Sequence, residues 1–461
     1  MAVDVSQVIV PYRGIARLLD RLESSGPLIP APSSLESDDV AVQAPPGAPP
    51  QADEDEPRVL PSEEPAPLDA LDDFQRTAML EALRVAADEI ARADRAPGVL
   101  YAPDNAAASL LLSFMARKAI ESDRLKELPH GALEVAFDDS DFSGWIGSFL
   151  TDWIKRLNKR PFLGNPSTTA EPLGREHVRI AILGDWGTNL YGAPRCARSV
   201  VAARDPFDIV LHLGDVYYAG THDEVRTRFL DPWPRVPGAR NLALNANHEM
   251  YSGGEGYFDS ILPAFGQASS YFAFSTEHFL LIGLDTAYED GDLAGNQVGW
   301  LQAILAGSGN RKVILFTHHQ PISLYEKQGV TLQSRLSPLL TSRRIVAWYW
   351  GHEHRCVLYD THPTWGFKGR CIGHSGFPYF RKDLARYPLT LRNADGTVWR
   401  QLGATNGSPG GYILDGPNFD VQEAPGQYGP QGYASMEIEG PHLLERIHSS
   451  DGRVLHERQL A

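Results

Sequence analysis

Five short polar clusters between residues 184 and 354 each follow an apolar run, and this repetition limits the possible folds more than any other feature. Short, nearly continuous apolar runs are typical of strands buried on both faces in α/β sheets. Ligand-binding side chains of such sheets gather beyond the carboxyl ends of the strands. The pattern therefore predicts an α/β fold in which the clusters meet at one site. The clusters are Gly184-Asp185-Trp186-Gly187, Gly214-Asp215-Val216-Tyr217-Tyr218, Asn245-Ala246-Asn247-His248-Glu249, Thr317-His318-His319 and Gly351-His352-Glu353-His354.

The side chains in these clusters are of the kinds that bind metal ions. Carboxylates, an amide, imidazoles and a phenol suit hard or borderline ions such as Fe, Zn and Mn. His352 and His354 stand two apart at the end of a predicted strand. Along an extended segment both would point to the same side, so that each can serve a different ion of one centre. The ordered set predicts a two-metal hydrolase centre.

The order and spacing of the clusters resemble those of the calcineurin-like metallophosphoesterases over about residues 177 to 380. Most members of that family open with Asp-x-His, whereas this chain has Asp185-Trp186-Gly187. The purple acid phosphatase branch lacks that histidine and supplies instead the tyrosine of Gly-Asp-x-x-Tyr, here Tyr218. The resemblance to this branch implies an α/β fold with a metallophosphoesterase-type β-sandwich flanked by helices (α/β/β/α).

The resemblance also implies the members of the metal centre. Two metal ions are expected, Fe together with a second Fe, Zn or Mn, because an anionic phenolate favours ferric iron at the first position. The implied ligands of metal one are Asp185, Asp215, Tyr218 and His354. The implied ligands of metal two are Asp215 as a bridge, Asn247, His318 and His352.

Two further histidines are implied to act on the substrate. His248 follows the ligand Asn247 and would contact the phosphate and donate a proton to the leaving group, a role that suits imidazole. In Thr317-His318-His319-Gln320-Pro321, counting from the end of the predicted strand favours His318 as the ligand, with His319 either facing the substrate or supporting a ligand. Counting back from the proline would choose His319 as the ligand instead. Ala246 stands where the family usually has glycine, which allows backbone conformations that alanine does not.

The expected function is that of a metal-dependent phosphoric ester hydrolase similar to acid phosphatases. Metal-bound hydroxide would attack phosphorus in line, and the first candidate substrate is a small phosphomonoester. One alternative is a phosphodiesterase of cyclic nucleotides or small diesters on the same scaffold. An alternative of another class is a non-catalytic scaffold protein, with the N-terminal helical region as a site for a protein partner.

Composition excludes several other classes. Residues 36–64 hold nine acidic residues and one basic residue, Arg58, so this segment carries half of the net charge of −16. Nucleic-acid binding needs clustered Lys and Arg, which this charge distribution does not favour. No apolar run is long enough to cross a bilayer, and the start lacks the pattern of a secretory signal. We therefore expect a cytoplasmic location, with no nucleic-acid or membrane partner. The cysteines, Cys196, Cys356 and Cys371, are odd in number and do not form a metal-binding pair.

The chain divides by composition into four parts. Residues 1–29 predict a short helical segment, residues 30–67 an acidic Pro-rich linker, and residues 68–165 a helical region. Within the helical region, helices are predicted over Leu71 to Ala93, over 104–122 and over the amphipathic stretch from Phe142 to Leu157. Residues 166–461 predict the catalytic domain, with an irregular Gly- and Pro-rich insertion at 383–432.

Overall fold

The computed structural model describes residues 8–9, 99–102, 104–121, 125–127, 133–135 and 158–461, the last range without residues 383, 406 and 423. The predicted linker at 30–67 and the predicted helices over Leu71 to Ala93 and Phe142 to Leu157 lie outside these residues. The helix predicted at 104–122 is present as Ala106–Glu121.

The strands of the described residues form three sheets. Ten strands form the largest sheet, six form a second sheet, and three short strands near the N-terminus form a third. In chain order they are β1 Val8–Ile9, β2 Leu125–Glu127, β3 Leu133–Val135, β4 Glu171–Pro172, β5 His177–Leu183, β6 Ile209–His212, β7 Arg240–Ala243, β8 Phe272–Ser275, β9 Phe279–Gly283, β10 Lys312–Phe316, β11 Ile345–Trp350, β12 Cys356–Thr361, β13 Lys368–Ile372, β14 Leu389–Arg392, β15 Val398–Leu402, β16 Gly411–Asp415, β17 Gly432–Glu439, β18 His442–Ser449 and β19 Val454–Gln459.

The two large sheets pack face to face. The ten-stranded sheet has the order β14-β15-β16-β12-β13-β11-β10-β9-β8-β4, and the six-stranded sheet has the order β19-β18-β17-β5-β6-β7. Alternate side chains of both sheets, such as Ile180, Leu211, Phe274 and Ile314, form one shared apolar core. The opposite faces are covered by helices in two further clusters. These layers are the predicted β-sandwich flanked by helices.

Short helices cover the outer faces of the sandwich. Their apolar side chains, for example Trp300 and Leu339 on one side and Val200 and Ile261 on the other, complete the two outer clusters. The helices are Ala106–Glu121, Ala193–Val201, His222–Glu224 continued by the π-helix Val225–Leu230, Asn247–Met250, the π-helix Tyr257–Ile261 continued by Leu262–Phe265, Gln297–Ala306, Val330–Arg335, Ser337–Ser342 and the 3-10 helix Leu384–Arg386.

Two segments differ from their sequence-based description. The segment 383–432, predicted as irregular, holds β14, β15 and β16, which extend the ten-stranded sheet. Its Gly- and Pro-rich turns hid these strands, of which Val398–Leu402 and Gly411–Asp415 bury most of their residues. The segments predicted as helical, 1–29 and 68–165, contribute the short strands β1, β2 and β3 as well as a helix. The alternation in Leu133-Glu134-Val135 suits a strand rather than a helix.

The site is positioned by parallel strands in both large sheets. β5, β6 and β7 run parallel in the six-stranded sheet. β9, β10 and β11 run parallel in the ten-stranded sheet. Parallel neighbours end at the same edge, so the polar clusters that follow these strands meet at one end of the sandwich. In the part of the chain that the structure describes, no helix is both long and apolar enough to cross a membrane.

Candidate metal centre

The clusters after β5, β6 and β11 bring two carboxylates and one imidazole together. We call these side chains the first ligand group: Asp185, Asp215 and His354. One ligand atom from each lies within 4.8 Å of the others. Nε2 of His354 is 3.4 Å from Oδ1 of Asp185 and 3.7 Å from Oδ2 of Asp215. These are the predicted ligands of metal one, apart from the tyrosine.

The tyrosine whose hydroxyl contacts this group is Tyr217, not the Tyr218 that the resemblance implies. The Tyr217 hydroxyl donates to Oδ2 of Asp215 at 2.8 Å and lies 2.8 Å from Nε2 of His354. The ring of Tyr218 lies instead beneath the guanidinium of Arg228, at 4.8 Å. Because the two tyrosines are adjacent, spacing cannot decide which ring turns towards the carboxylates, and only the fold of the loop does so.

The second ligand group consists of His318, His319 and His352, again within 4.8 Å of one another. Asn247 joins this group because its Oδ1 lies 2.8 Å from Nε2 of His318. The ring of His352 lies 5.2 Å from that of His318, measured between centroids. The predicted ligands of metal two are therefore neighbours.

His318 presents a lone pair to two oxygen atoms. Its Nδ1–H donates to the carbonyl of Leu213 at 2.9 Å, which leaves Nε2 as the free ring nitrogen of the neutral imidazole. Burial holds the pKa of His318 well below its usual value, so the ring stays neutral. Nε2 then faces Oδ1 of Asn247 at 2.8 Å and Oδ1 of Asp215 at 3.4 Å. Three acceptors that converge without a proton between them form a cradle for a cation.

Asp215 lies between the two groups and faces each with a different oxygen atom. Oδ2 accepts from Tyr217 in the first group, whereas Oδ1 faces His318 in the second. Among the residues that the structure describes, Oδ1 has no hydrogen-bond partner although it is buried, and the same holds for Oδ2 of Asp185. An unsatisfied buried carboxylate oxygen is costly unless a ligand supplies its missing partner. The donor set therefore fits two cations that share one carboxylate.

The pKa values of Asp185 and Asp215 are shifted in opposite directions by their surroundings. Burial raises the pKa of Asp185 well above its usual value, and the charge of the neighbouring Asp215 raises it further. Burial opposes ionisation of Asp215 too, but His248 and a side-chain hydrogen bond with His354 help to hold its pKa well below the usual range. In the metal-free protein Asp215 is thus the carboxylate and Asp185 the carboxylic acid.

The backbone at the site is held in a conformation that is unusual for side chains other than glycine. Asp185, Asp215, His352 and His354 have φ values of 54°, 80°, 66° and 53°. Such left-handed residues cost free energy and concentrate at functional sites. The spacing of His352 and His354 predicts an extended segment, and this prediction is wrong because both residues have a left-handed backbone. The bend sends His352 to the second group and His354 to the first.

A glycine keeps space open between the two groups. A Cβ on Gly351 would approach Oδ2 of Asp185 to 2.6 Å and Nδ1 of His318 to 3.4 Å. The site thus requires glycine at this point. Ala246, in contrast, has an extended backbone with φ −138° and ψ 167°, which alanine adopts freely. Alanine is therefore unstrained at this position.

His248 lies beside the centre but outside both ligand groups. Its Nδ1–H donates to the carbonyl of Tyr218 at 2.6 Å, and its ring packs between those of Tyr217 and Tyr251. The ring is almost completely buried. His319 is also held: its Nδ1 pairs with the hydroxyl of Thr286 at 3.0 Å and its Nε2 lies 3.3 Å from Asp290. His318, rather than His319, therefore occupies the position between Asn247 and Asp215.

Sequence reasoning missed one carboxylate at the site. Oδ1 of Asp104, just before the helix Ala106–Glu121, lies 2.9 Å from Nδ2 of Asn247. Nothing in the sequence pointed to it, because a lone aspartate more than 80 residues before the first cluster has no motif. Only the packing of the helix against the site reveals the contact.

The sandwich with its paired ligand groups coincides with a match to a known protein family. Residues 178–356 match the family model for calcineurin-like phosphoesterases, and this part of the chain is a calcineurin-like phosphoesterase domain. The matched range contains all the predicted ligands.

Two curated relatives carry phosphoesterase names. Over 290 residues the chain is 26% identical to tartrate-resistant acid phosphatase type 5 of Sus scrofa, a match that covers 54% of this chain and 81% of the relative. Over 165 residues it is 27% identical to a probable glycerophosphodiester phosphodiesterase GpdQ of Arcobacter nitrofigilis, covering 32% of this chain and 57% of the relative.

Among solved structures, the chain is similar to purple acid phosphatase PPD1 of yellow lupin (Lupinus luteus), with a TM-score of 0.43 and 15% identity. That match covers 61% of this chain and 53% of the lupin chain. The chain thus spans about half of the lupin enzyme.

Proposed function

We propose that this protein is a dinuclear metal-dependent phosphoesterase that hydrolyses phosphomonoesters. The observation that carries the proposal is the position of Asp215, whose two carboxylate oxygens face the two ligand groups separately. A carboxylate in this position can hold two cations at the short separation that two-metal hydrolases need.

The residues of each group would hold one cation. The first would be held by Asp185, Asp215, His354 and Tyr217, which takes the place expected for Tyr218. The second would be held by Asp215, Asn247, His318 and His352. Two cations bound there would lower the pKa of a water molecule and neutralise charge on the phosphoryl group. We propose iron for the first position, where a phenolate is available, and iron, zinc or manganese for the second.

His248 is the proposed general acid. Its Nδ1–H is held by the carbonyl of Tyr218, so Nε2 is the nitrogen that can face a leaving group. Water attacks phosphorus opposite the ester oxygen, the bond from phosphorus to that oxygen breaks, and the oxygen takes the proton from Nε2 of the imidazolium. His319, fixed by Thr286 and Asp290, would border the phosphate on the other side.

The preference for monoesters is supported by the acid phosphatase relative, which aligns with more than half of the chain. The phosphodiesterase name of the second relative favours the alternative, hydrolysis of small diesters by the same centre. The ligand groups serve both reactions equally, so only substrate comparison separates them.

The test measures turnover of p-nitrophenyl phosphate and of bis(p-nitrophenyl) phosphate with Fe, Zn or Mn supplied. We expect the monoester to be the better substrate and Asp215→Asn to lose at least about 100-fold in kcat/KM, because it disturbs both positions. Asp205→Asn, which changes an exposed carboxylate outside both ligand groups, is the matched control. Faster diester turnover would support the diesterase. Failure to bind metal or turn over either ester would favour the non-catalytic alternative.

A further inference from the structure

The second ligand group receives a contact from outside the domain that the family model matches. Asp104 directly precedes Asn105, whose Oδ1 accepts a hydrogen bond from the backbone N–H of Ala108 at 3.2 Å and so caps the helix Ala106–Glu121. The apolar side chains of this helix, such as Leu110 and Met115, are buried. The start of the helix thereby places Asp104 at the metal centre.

Asp104 and Tyr251 hold the nitrogen end of the Asn247 amide. Nδ2 of Asn247 donates to Oδ1 of Asp104 at 2.9 Å and to the hydroxyl of Tyr251 at 2.7 Å. The Tyr251 hydroxyl in turn donates to the same oxygen of Asp104 at 2.6 Å. Both N–H groups of the amide therefore donate hydrogen bonds, and both acceptors lie on the side away from His318.

This arrangement fixes which end of the amide faces the ligand group. An asparagine amide can turn over and exchange its oxygen and nitrogen unless its partners specify one orientation. Here the acceptors at Nδ2 leave Oδ1 directed at Nε2 of His318, 2.8 Å away. With the amide turned over, two N–H donors would point at the cation position and the ligand oxygen would be lost.

We propose that Asp104 is a positioning residue that orients Asn247 as a ligand of the second cation, so that the segment before the helix Ala106–Glu121 completes the metal centre. The inference rests on the proposed function, because it takes Asn247 to be a metal ligand. Outer partners of metal ligands typically change metal affinity by about 10–100-fold when they are removed.

The experiment titrates the full-length metal-free protein with Mn²⁺ and resolves the affinities of the two positions by calorimetry. We expect Asp104→Ala to weaken the second position by about 10–100-fold and to leave the first unchanged. Asp104→Asn keeps an acceptor oxygen and should retain most of the affinity. Turnover of p-nitrophenyl phosphate by Asp104→Ala should recover at high Mn²⁺ concentration.

Two controls separate positioning from other effects. Asn105→Ala removes the cap of the same helix without removing a contact of Asn247, and Asp205→Asn removes an exposed carboxylate outside both ligand groups. Both should bind the second Mn²⁺ normally. Loss of affinity in Asn105→Ala equal to that in Asp104→Ala would overturn the proposal in favour of general support by the helix.

Three other results would also overturn the proposal. Unchanged Mn²⁺ affinity with faster turnover in Asp104→Ala would make the carboxylate an obstacle at the site instead of a support. If Asp215→Asn abolishes Mn²⁺ binding while Asp104→Ala leaves both affinities intact, the proposed function stands and only the role of Asp104 falls. A wild-type protein that binds no Mn²⁺ would contradict both the proposed function and the role of Asp104.

Discussion

The hydroxyl of Tyr217 donates to Oδ2 of Asp215 at 2.8 Å, although the sequence motif selects the next residue, Tyr218. The same hydroxyl lies 3.3 Å from Oδ1 of Asp185, so both carboxylates of the first ligand group contact it. Burial, together with the charges of Asp215 and Asp185, raises the pKa of Tyr217 well above its usual value. Without a cation the residue is therefore a neutral phenol.

This relationship gives a spectroscopic prediction. If iron occupies the first position, a phenolate ligand should produce a visible charge-transfer band in the iron-loaded protein. We expect Tyr217→Phe to abolish the band and Tyr218→Phe to leave it in place. Absorption spectra at equal iron content measure the difference. A band that survives in Tyr217→Phe and disappears in Tyr218→Phe would restore the assignment based on spacing.

The second prediction concerns the leaving group. His248→Asn removes the proposed proton donor, and proton transfer of this kind contributes about 10²–10⁴-fold to rate. We expect a loss of that size in kcat/KM for an alkyl phosphate such as glycerol phosphate. The loss should be much smaller for p-nitrophenyl phosphate, because nitrophenolate leaves without a proton. The exposed His222→Asn serves as control, and equal losses on both esters would argue against general-acid catalysis.

The third prediction concerns an ion pair that joins the two large sheets. Nε of Arg370 on β13 lies 2.8 Å from both carboxylate oxygens of Glu445 on β18, and the Tyr349 hydroxyl donates to the same carboxylate at 2.7 Å. Both charged side chains are buried. Removing one partner of a buried pair leaves an uncompensated charge, at a cost of about 3–5 kcal/mol.

We therefore expect Glu445→Leu to lower the free energy of unfolding in urea by about 3–5 kcal/mol. The double variant Arg370→Met with Glu445→Leu should recover much of that loss, since it leaves neither charge behind. Metal binding should be unaffected in the double variant, because the pair lies within the sandwich and not at its edge. A double variant less stable than Glu445→Leu would show that the pair contributes more than mutual neutralisation.

The sequence predicts the fold and the general position of the site because both depend on residue patterns that are visible along the chain. Apolar runs such as Lys312–Phe316 coincide with strands, and the polar residues after them lie at strand ends. The rotation of individual side chains is different. It depends on loop conformations such as the left-handed backbone at Asp215, which no spacing rule encodes.

The same limit explains the other differences. β14 and β15 join the ten-stranded sheet only through β16, which pairs with the distant strand β12, and Gly-rich turns obscure the alternation of these strands. Asp104 reaches the site only because a helix packs there, so its role depends on tertiary structure alone. Residues that act through contacts distant in the chain are thus the ones that sequence reading misses.

The last prediction concerns His212, which is enclosed by the rings of Trp186, Phe229 and Trp233. Neither ring nitrogen has a hydrogen-bond partner among the described residues. Burial lowers the pKa of His212 from 6.5 to about 3, although the charge of Asp215 opposes the shift. The folded protein therefore keeps this imidazole neutral at a pH where the unfolded chain takes up a proton.

Between pH 6.5 and pH 3 the unfolded state binds more protons at this position, so stability must fall as the pH is lowered through that window. From pH 7 to pH 5 the loss from His212 alone is about 2 kcal/mol. We expect His212→Leu, which keeps an apolar side chain of similar size, to lose that much less stability than wild type over the same interval. Urea unfolding at both pH values measures this difference, with the exposed His222→Leu as control. Parallel losses in wild type and His212→Leu would mean that His212 is protonated in the folded protein.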